Sequence, residues 1–471
     1  MEHAVQTAAL AASYHKPGFA YFMEQGLGKT YTALKEFSEL VAERQATRLV
    51  VICPNSFKSG WAAEIDKWGF DFDPYLFESG SSANAAFLRR KFDRPPVLVV
   101  NIEAIRSEGT RAYIAEFIDG REAMCVVDES ILISTHDASQ TKAALELAPR
   151  FAFRRILSGK PMKQGPHDLW SQMRFIGALN GRNYFAFRNA FCRMGGFKMK
   201  QVMGAQNEDL LAQLIDPYIF RATKAEWTDL PPKVQMLRSY RMTPEMNVMY
   251  RSMEEDFLLW LNDEEVVTID AAITKYIKLA QIQAGFIYDE DGKTRELVAP
   301  AKNPRLSLLK EVMVNEITGK VCIPFRHHYS FDMLRSELRD YNPAFITGGM
   351  SPSEIDEQKR LFNEDPACRA ILLQTNAAKY GHTLLGGPEP ANHCSDMIFF
   401  ENTYSLDDRS QIEDRPHRHG QLGDMVRYWD LIGTDLDRSC VEALFRKESI
   451  FQAVFQRLSK TGAPGDPSRP A

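Results

Sequence analysis

Residues 23 to 30 read Met-Glu-Gln-Gly-Leu-Gly-Lys-Thr and follow the apolar run Phe19-Ala20-Tyr21-Phe22. An apolar strand, a glycine loop ending in Lys-Thr and then a helical stretch from Tyr31 to Leu40 make a phosphate cradle. Gly26 and Gly28 let the backbone N–H groups of Gln25 to Lys29, with Leu27 between them, turn toward anionic oxygens. The following helix presents its positive end to the same point. Lys29 has the reach for β- and γ-phosphates, and the Thr30 hydroxyl is placed for Mg²⁺. A second chemical signal is Asp128-Glu129, which ends the apolar run Met124-Cys125-Val126-Val127. Carboxylates at the carboxyl end of a parallel strand face the same crevice as a phosphate loop. Asp128 is a candidate Mg²⁺ holder. Glu129 is a candidate for orienting or deprotonating an attacking water. Taken alone, each motif competes with a bland reading, a chance glycine turn or a polar loop start.

These residues need strands to carry them. Arg48–Pro54, Pro96–Asn101, Met124–Asp128 and Arg155–Ser158 read as buried strands, apolar almost throughout. Helical patterns at Ser59–Trp68 and Ala138–Leu147 separate them. That is the pattern of a parallel sheet covered on both faces. From Thr223 to Gln283 the alternation is lost and the reading is mostly helical, with Thr243-Pro244-Glu245 as a helix start. Asp289-Glu290-Asp291-Gly292 marks a turn between short strands. Alternation resumes after Pro304, with strands at Lys320–Pro324, Ala344–Thr347, Ala370–Gln374, Met397–Glu401 and Val426–Ile432. The expected organisation is a first α/β lobe over 1–222, a helical linker over 223–303, a second α/β lobe over 304–460 and a disordered Pro/Gly-rich tail over 461–471.

The bulk numbers fit that picture. The chain has 471 residues, 44% hydrophobic and 25% charged, enough for two or more cores. A net charge of −5 gives no global basic field, although a local groove can still be basic. Seven scattered cysteines form no CxxC pair, so neither a zinc site nor a disulfide framework is indicated. No signal peptide, transit peptide or membrane-spanning run is read.

In order along the chain, further segments resemble one family. The first is Glu24 to Thr30. Next come Cys53-Pro54-Asn55-Ser56 with Trp61, Glu64 and Trp68, and then Asn101-Ile102-Glu103-Ala104. Asp128-Glu129-Ser130 is followed by Ser158-Gly159-Lys160-Pro161 with Asp168 to Gln172, and by Arg221 through Pro231-Pro232-Lys233. The later segments are Gln374 to Ala378 with Gly381, and Gln411-Ile412-Glu413-Asp414-Arg415-Pro416-His417-Arg418-His419-Gly420-Gln421. This series resembles the SWI/SNF-type branch of helicase superfamily II, the chromatin-remodeller-like DNA translocases. It is similar to a compact phage or bacterial member, since no chromatin-reading, zinc or nuclease module accompanies it.

The resemblance implies an α/β fold of two RecA-like parallel-sheet lobes with a helical insertion between them. It implies ATP and Mg²⁺ as cofactors and double-stranded or branched DNA as partner. Replication or recombination proteins are possible further partners, and the setting is cytoplasmic, on the nucleoid of a bacterial or phage-infected cell. It implies that Arg418 acts as an arginine finger on the γ-phosphate with Arg415 as its partner, or the reverse. Gln411 then senses the γ-phosphate or links the lobes, and Gln6 reads adenine. The implied DNA-facing residues are Ser56, Lys58, Asn101, Arg326, Thr375, Asn376 and Lys379, all able to hold phosphates without reading bases. Trp61 and Trp68, seven apart on one helical face, read as core packing, as does Trp170.

The chain departs from the pattern at Ile131, where the family has a histidine or similar polar residue linking the Asp128-Glu129-Ser130 segment to the Ser158–Pro161 segment, and at Lys160, where it has a small hydroxyl residue. Those departures question coupling more than hydrolysis. Three other readings stay open. They are a strand-separating helicase, an RNA-directed enzyme, and a nucleotide-sensing scaffold without turnover.

Overall fold

A computed structural model describes residues 4–179, 181–195, 201–227, 229–263, 269–289, 291–378, 383–403, 405–418 and 420–445. Lys379, Gly381, His419 and the 461–471 tail, all singled out from the sequence, lie outside the described residues. The chain divides into two compact units, Met1–Asp229 and Leu230–Ala471.

The first unit is built on a seven-stranded sheet. Its strands are β1 (Gly18–Met23), β2 (Arg48–Cys53), β3 (Asp73–Leu76), β4 (Pro96–Asn101), β5 (Ala123–Val127) and β6 (Phe153–Leu157). An antiparallel hairpin of β7 (Cys192–Gly195) and β8 (Gln201–Ala205) precedes the last strand, β9 (Ile219–Ala222). The sheet order is β3-β4-β2-β5-β6-β1-β9, and every pairing in it is parallel. Successive residues of a strand face opposite sides. Val50 and Ile52 therefore enter one core with Phe117 and Met173, while Leu49 and Val51 enter another with Leu34 and Phe37. Both faces are covered, which is why these strands are apolar throughout rather than alternating.

One polar network lies inside this packing. The Arg155 guanidinium holds both Glu36 carboxylate oxygens, at 2.8 and 2.6 Å, and is wholly buried. The Tyr21 hydroxyl lies 2.9 Å from Glu36 and 2.7 Å from Ser13. These bonds tie the helix Ala4–Ser13 and the helix Lys29–Ala42 to β1 and β6.

The second unit has a six-stranded parallel sheet of order β10-β17-β16-β13-β15-β14. Its strands are β10 (Lys233–Ser239), then, after the hairpin β11 (Phe286–Tyr288) and β12 (Thr294–Glu296), β13 (Lys320–Phe325), β14 (Ala344–Ile346), β15 (Ala370–Gln374), β16 (Cys394–Phe399) and β17 (Val426–Ile432). Two cores again sit on opposite faces, with Ile323 and Trp429 in one and Cys322 and Tyr428 in the other.

The architecture is the expected one, two parallel-sheet units with helices. One segment differs. Lys233–Ser239 falls where the sequence reads as helical linker, yet it pairs with β17 along its full length. Its side chains are only half-buried, as befits an edge strand, so the apolar run that marks a central strand is missing. The helices Pro244–Asp263 and Ile269–Ala284 and the hairpin after them match the reading of that region.

Candidate nucleotide site and nucleic-acid interface

β1 delivers the loop from Glu24 to Gly28, and the helix Lys29–Ala42 begins directly after it. Gly26 and Gly28 both take left-handed backbone angles, φ 87° and 82°, which side chains other than glycine's resist. A second constraint acts at Gly28. A Cβ there would stand 2.1 Å from Gln6 Nε2, so the amide of buried Gln6 occupies the space the missing side chain leaves. Gln6, on a separate helix, is thus brought against the loop. Leu27 is buried beneath it, while Gln25 and Thr30 are half-buried. Lys29 Nζ donates to the Met23 carbonyl at 2.9 Å, folding back over the loop.

Asp128 follows β5 and is buried. Its Oδ2 accepts the indole N–H of Trp61 at 3.0 Å, and its Oδ1 accepts the Glu129 backbone N–H at 2.9 Å. Burial pushes the Asp128 carboxyl above the usual carboxylate range. The charge of Lys29 and the two hydrogen bonds pull the other way. The Lys29 charge thus acts on the Asp128 carboxylate. Glu129 is half-buried and sits at φ 49°, a left-handed position that is strained for any residue but glycine. Thr30, Asp128 and the loop fit a nucleotide with a hydrated Mg²⁺. That ion takes one or two protein oxygens plus phosphate oxygens rather than a protein cage. Among the described residues no group of three or more His, Cys, Asp or Glu could hold a metal ion by itself.

Ile131 does not bridge to the segment after β6, but its neighbour Ser130 does. Ser130 Oγ donates to Gln172 Oε1 at 2.7 Å, and Gln172 Nε2 donates to the carbonyls of Pro161 (2.7 Å) and Asp168 (2.8 Å). Asp168 in turn accepts the backbone N–H groups of Lys163, Gln164 and Gly165. The loop carrying Lys160, whose side chain is exposed, is held by that carboxylate.

In the second unit, the helix Leu406–Glu413 carries Gln411 and leads to Arg415 and Arg418. Its root is a buried ion cluster. Arg409 binds both Asp430 oxygens, at 2.7 and 2.9 Å, and Glu413 at 2.7 Å, while Lys233 reaches Glu413 and Asp414. Arg415 is 1% exposed, and its Nε caps the Gln411 carbonyl at 2.8 Å. Arg418 is only half-buried and bonds Asp414 O and Thr383 Oγ1. Gln411 Oε1 is enclosed, with no donor among the described residues.

The DNA candidates fall into two sets. Ser56 is exposed after β2, and Asn101 ends β4 beside it, bonding Glu103 at 3.2 Å. Arg326 and Asn376 follow β13 and β15, which are paired neighbours. Thr375 is buried, its hydroxyl given to the Phe325 carbonyl at 2.9 Å. Lys58 corrects the sequence reading. It is buried, and its amine donates to the Phe77 carbonyl, so its charge is turned into the fold. Arg326 is fixed in place by Glu401, which accepts the N–H groups of Arg326 (2.6 Å) and His327 (3.0 Å), His327 Nδ1 and Ser330 Oγ.

A protein-family model, the SNF2-related domain, matches residues 11–285, more than half of the chain. The chain belongs to the SNF2-related domain family. The human protein "DNA annealing helicase and endonuclease ZRANB3" is 23% identical over 441 residues, covering 91% of this chain and 38% of that protein. The SNF2-related chain thus spans well under half the length of that relative. "Putative protein p41" of Acyrthosiphon pisum secondary endosymbiont phage 1 is 24% identical over 84% of this chain and 85% of its own length. Among solved structures, the "Sulfolobus solfataricus SWI2/SNF2 ATPase core in complex with dsDNA" aligns over 98% of this chain and 93% of that one, with 22% identity and a TM-score of 0.44. Among the described residues no helix is long and apolar enough to cross a membrane.

Two features of this SNF2-related site escape a reading of the sequence. Trp61 packs in the core as expected, being 2% exposed, but it is also a donor to Asp128. The available signal was that a buried indole N–H needs a partner. The Ser130–Gln172 bond had no sequence signal, since its partners lie far apart in the chain.

Proposed function

We propose that this chain is an ATP- and Mg²⁺-dependent motor that moves along double-stranded DNA. The observation that carries the reading is that Lys29, after β1, and Asp128, after β5, stand close enough for the lysine charge to act on the carboxylate, beside a loop whose Gly26 and Gly28 both take left-handed backbone angles. In this reading the backbone of Gln25 to Lys29 cradles the phosphates and Lys29 takes the β/γ oxygens. Thr30 and Asp128 hold the metal, Glu129 orients the water, and the Gln6 amide reads the adenine edge. Mg²⁺, when bound, neutralises charge on the β- and γ-oxygens.

The proposed finger is Arg418, with Arg415 as its positioning partner. Burial of Arg415 against its own helix and the half-exposure of Arg418 support that order. A guanidinium at the γ-phosphate counters the charge that grows as the bond to it breaks. Ser56, Asn101, Arg326 and Asn376 are the proposed phosphate contacts on DNA, with Thr375 holding its loop and Lys379 as a further candidate. The proposed setting is replication, recombination or fork repair in a bacterial or phage-infected cell, with proteins of those processes as partners.

The test is steady-state ATP hydrolysis with duplex DNA, single-stranded DNA, forked DNA and RNA. Strong stimulation by duplex, lost in Glu129→Gln while ATP still binds, is the expected result. Preferential stimulation by RNA, or no turnover with any nucleic acid, refutes it.

A further inference from the structure

The phosphate loop is flanked on two sides by side chains from distant parts of the first unit. Gln6 fills the space at Gly28. At Gly26 the neighbour is Lys224, whose Cε lies 3.7 Å from where a Cβ would stand. Lys224 comes just after β9, at the carboxyl end of the strand next to β1, with Met23 and Ala222 paired. Ligands of parallel sheets gather at such strand ends. The local chain is firmly held. Glu24 N–H donates to the Ala222 carbonyl at 3.0 Å, and Glu24 Oε2 accepts the Lys224 N–H at 2.8 Å. Lys224 is 8% exposed, so its cation is largely removed from water beside the loop. The helix Ala4–Ser13 packs on both β9 and the helix Lys29–Ala42.

We propose that Lys224 is a ligand of the nucleotide's phosphate chain, a second cation on the cradle in addition to Lys29. The inference rests on the nucleotide reading of the loop given above. A lysine stem lying on Gly26 places its ammonium one bond beyond Cε, alongside the backbone that would carry the phosphates. Glu24 fixes the Lys224 backbone beside the loop. The loop needs glycine twice. Gly28 makes room for Gln6, and Gly26 is required by its left-handed φ of 87°, with the lysine stem in ordinary contact beside it.

The test is competition against a fluorescent ADP by adenosine, ADP and a non-hydrolysable ATP analogue, on the full chain with Mg²⁺. Lys224→Met is expected to weaken ADP and the ATP analogue by about tenfold or more, the worth of one charge-assisted hydrogen bond, and to leave adenosine unchanged. Lys224→Gln, which keeps a stem and a polar end, gives the same readout if Lys224→Met does not fold. An equal loss for adenosine would make Lys224 a purely structural group and overturn the proposal. So would unchanged binding of all three ligands by a folded variant. If the wild-type chain binds none of them, the nucleotide reading itself fails, a different result from either.

Discussion

Gly28→Ala probes the closest approach at the loop. Two costs add. A residue other than glycine at φ 82° costs about 1–2 kcal/mol. The new Cβ also stands 2.1 Å from Gln6 Nε2, inside any real contact distance, so Gln6 must be driven from its buried position. Overpacking of that kind costs roughly 1–3 kcal/mol, for a total of about 2–5 kcal/mol. Gln6→Ala removes the obstruction. In the double variant only the backbone cost and the separate cost of losing Gln6 remain. The double-mutant cycle should therefore show a coupling of about 1–3 kcal/mol, the two changes costing less together than their sum. The assay is urea unfolding of all four proteins without nucleotide, followed through the transition that reports the first unit. Strict additivity, within about 0.5 kcal/mol, would refute the placement of Gln6 on the loop.

Three further predictions concern other contacts. Trp61→Phe keeps the ring in the core but removes the donor to Asp128; the lost bond to a buried carboxylate is worth about 1.5–3 kcal/mol, so ATP hydrolysis should fall roughly tenfold or more while DNA affinity holds, and Trp68→Phe should do neither. Glu401 is raised by burial, but the His327 charge and the hydrogen bonds outweigh that and hold it at about 2 rather than 4.5. Its stabilising share is thus full above pH 4.5 and lost as pH falls toward 2, so Glu401→Gln should cost roughly 3 kcal/mol near neutrality, by urea unfolding, with the gap to wild type closing in acid. Arg326→Ala should weaken DNA binding and lower the slope of log affinity against log salt by about 0.9, whereas Lys58→Ala should leave that slope unchanged.

Much of this was legible because the chemistry and the elements share one code. The apolar runs at Arg48–Cys53 and Ala123–Val127 could be placed because strands buried on both faces have no polar positions. Gly26, Gly28, Lys29 and Asp128 could be placed because each follows such a strand directly. The edge strand Lys233–Ser239 was not legible, since an edge exposes half its residues and loses the apolar signature. Lys58 misled for a related reason. Lysine on a loop after a strand reads as a surface cation, and only the fold reveals the Phe77 carbonyl waiting inside. The links from Trp61 to Asp128 and from Ser130 to Gln172 are tertiary hydrogen bonds between helices and loops, and no local pattern encodes such partners.

Displacement of a third strand from a DNA triplex measures the motor directly, because only a protein that travels along an intact duplex while consuming ATP can strip it. The account predicts ATP-dependent displacement by the wild-type chain and none by Lys29→Ala or Arg418→Ala. Vigorous ATP turnover on duplex DNA with the triplex left intact would contradict it.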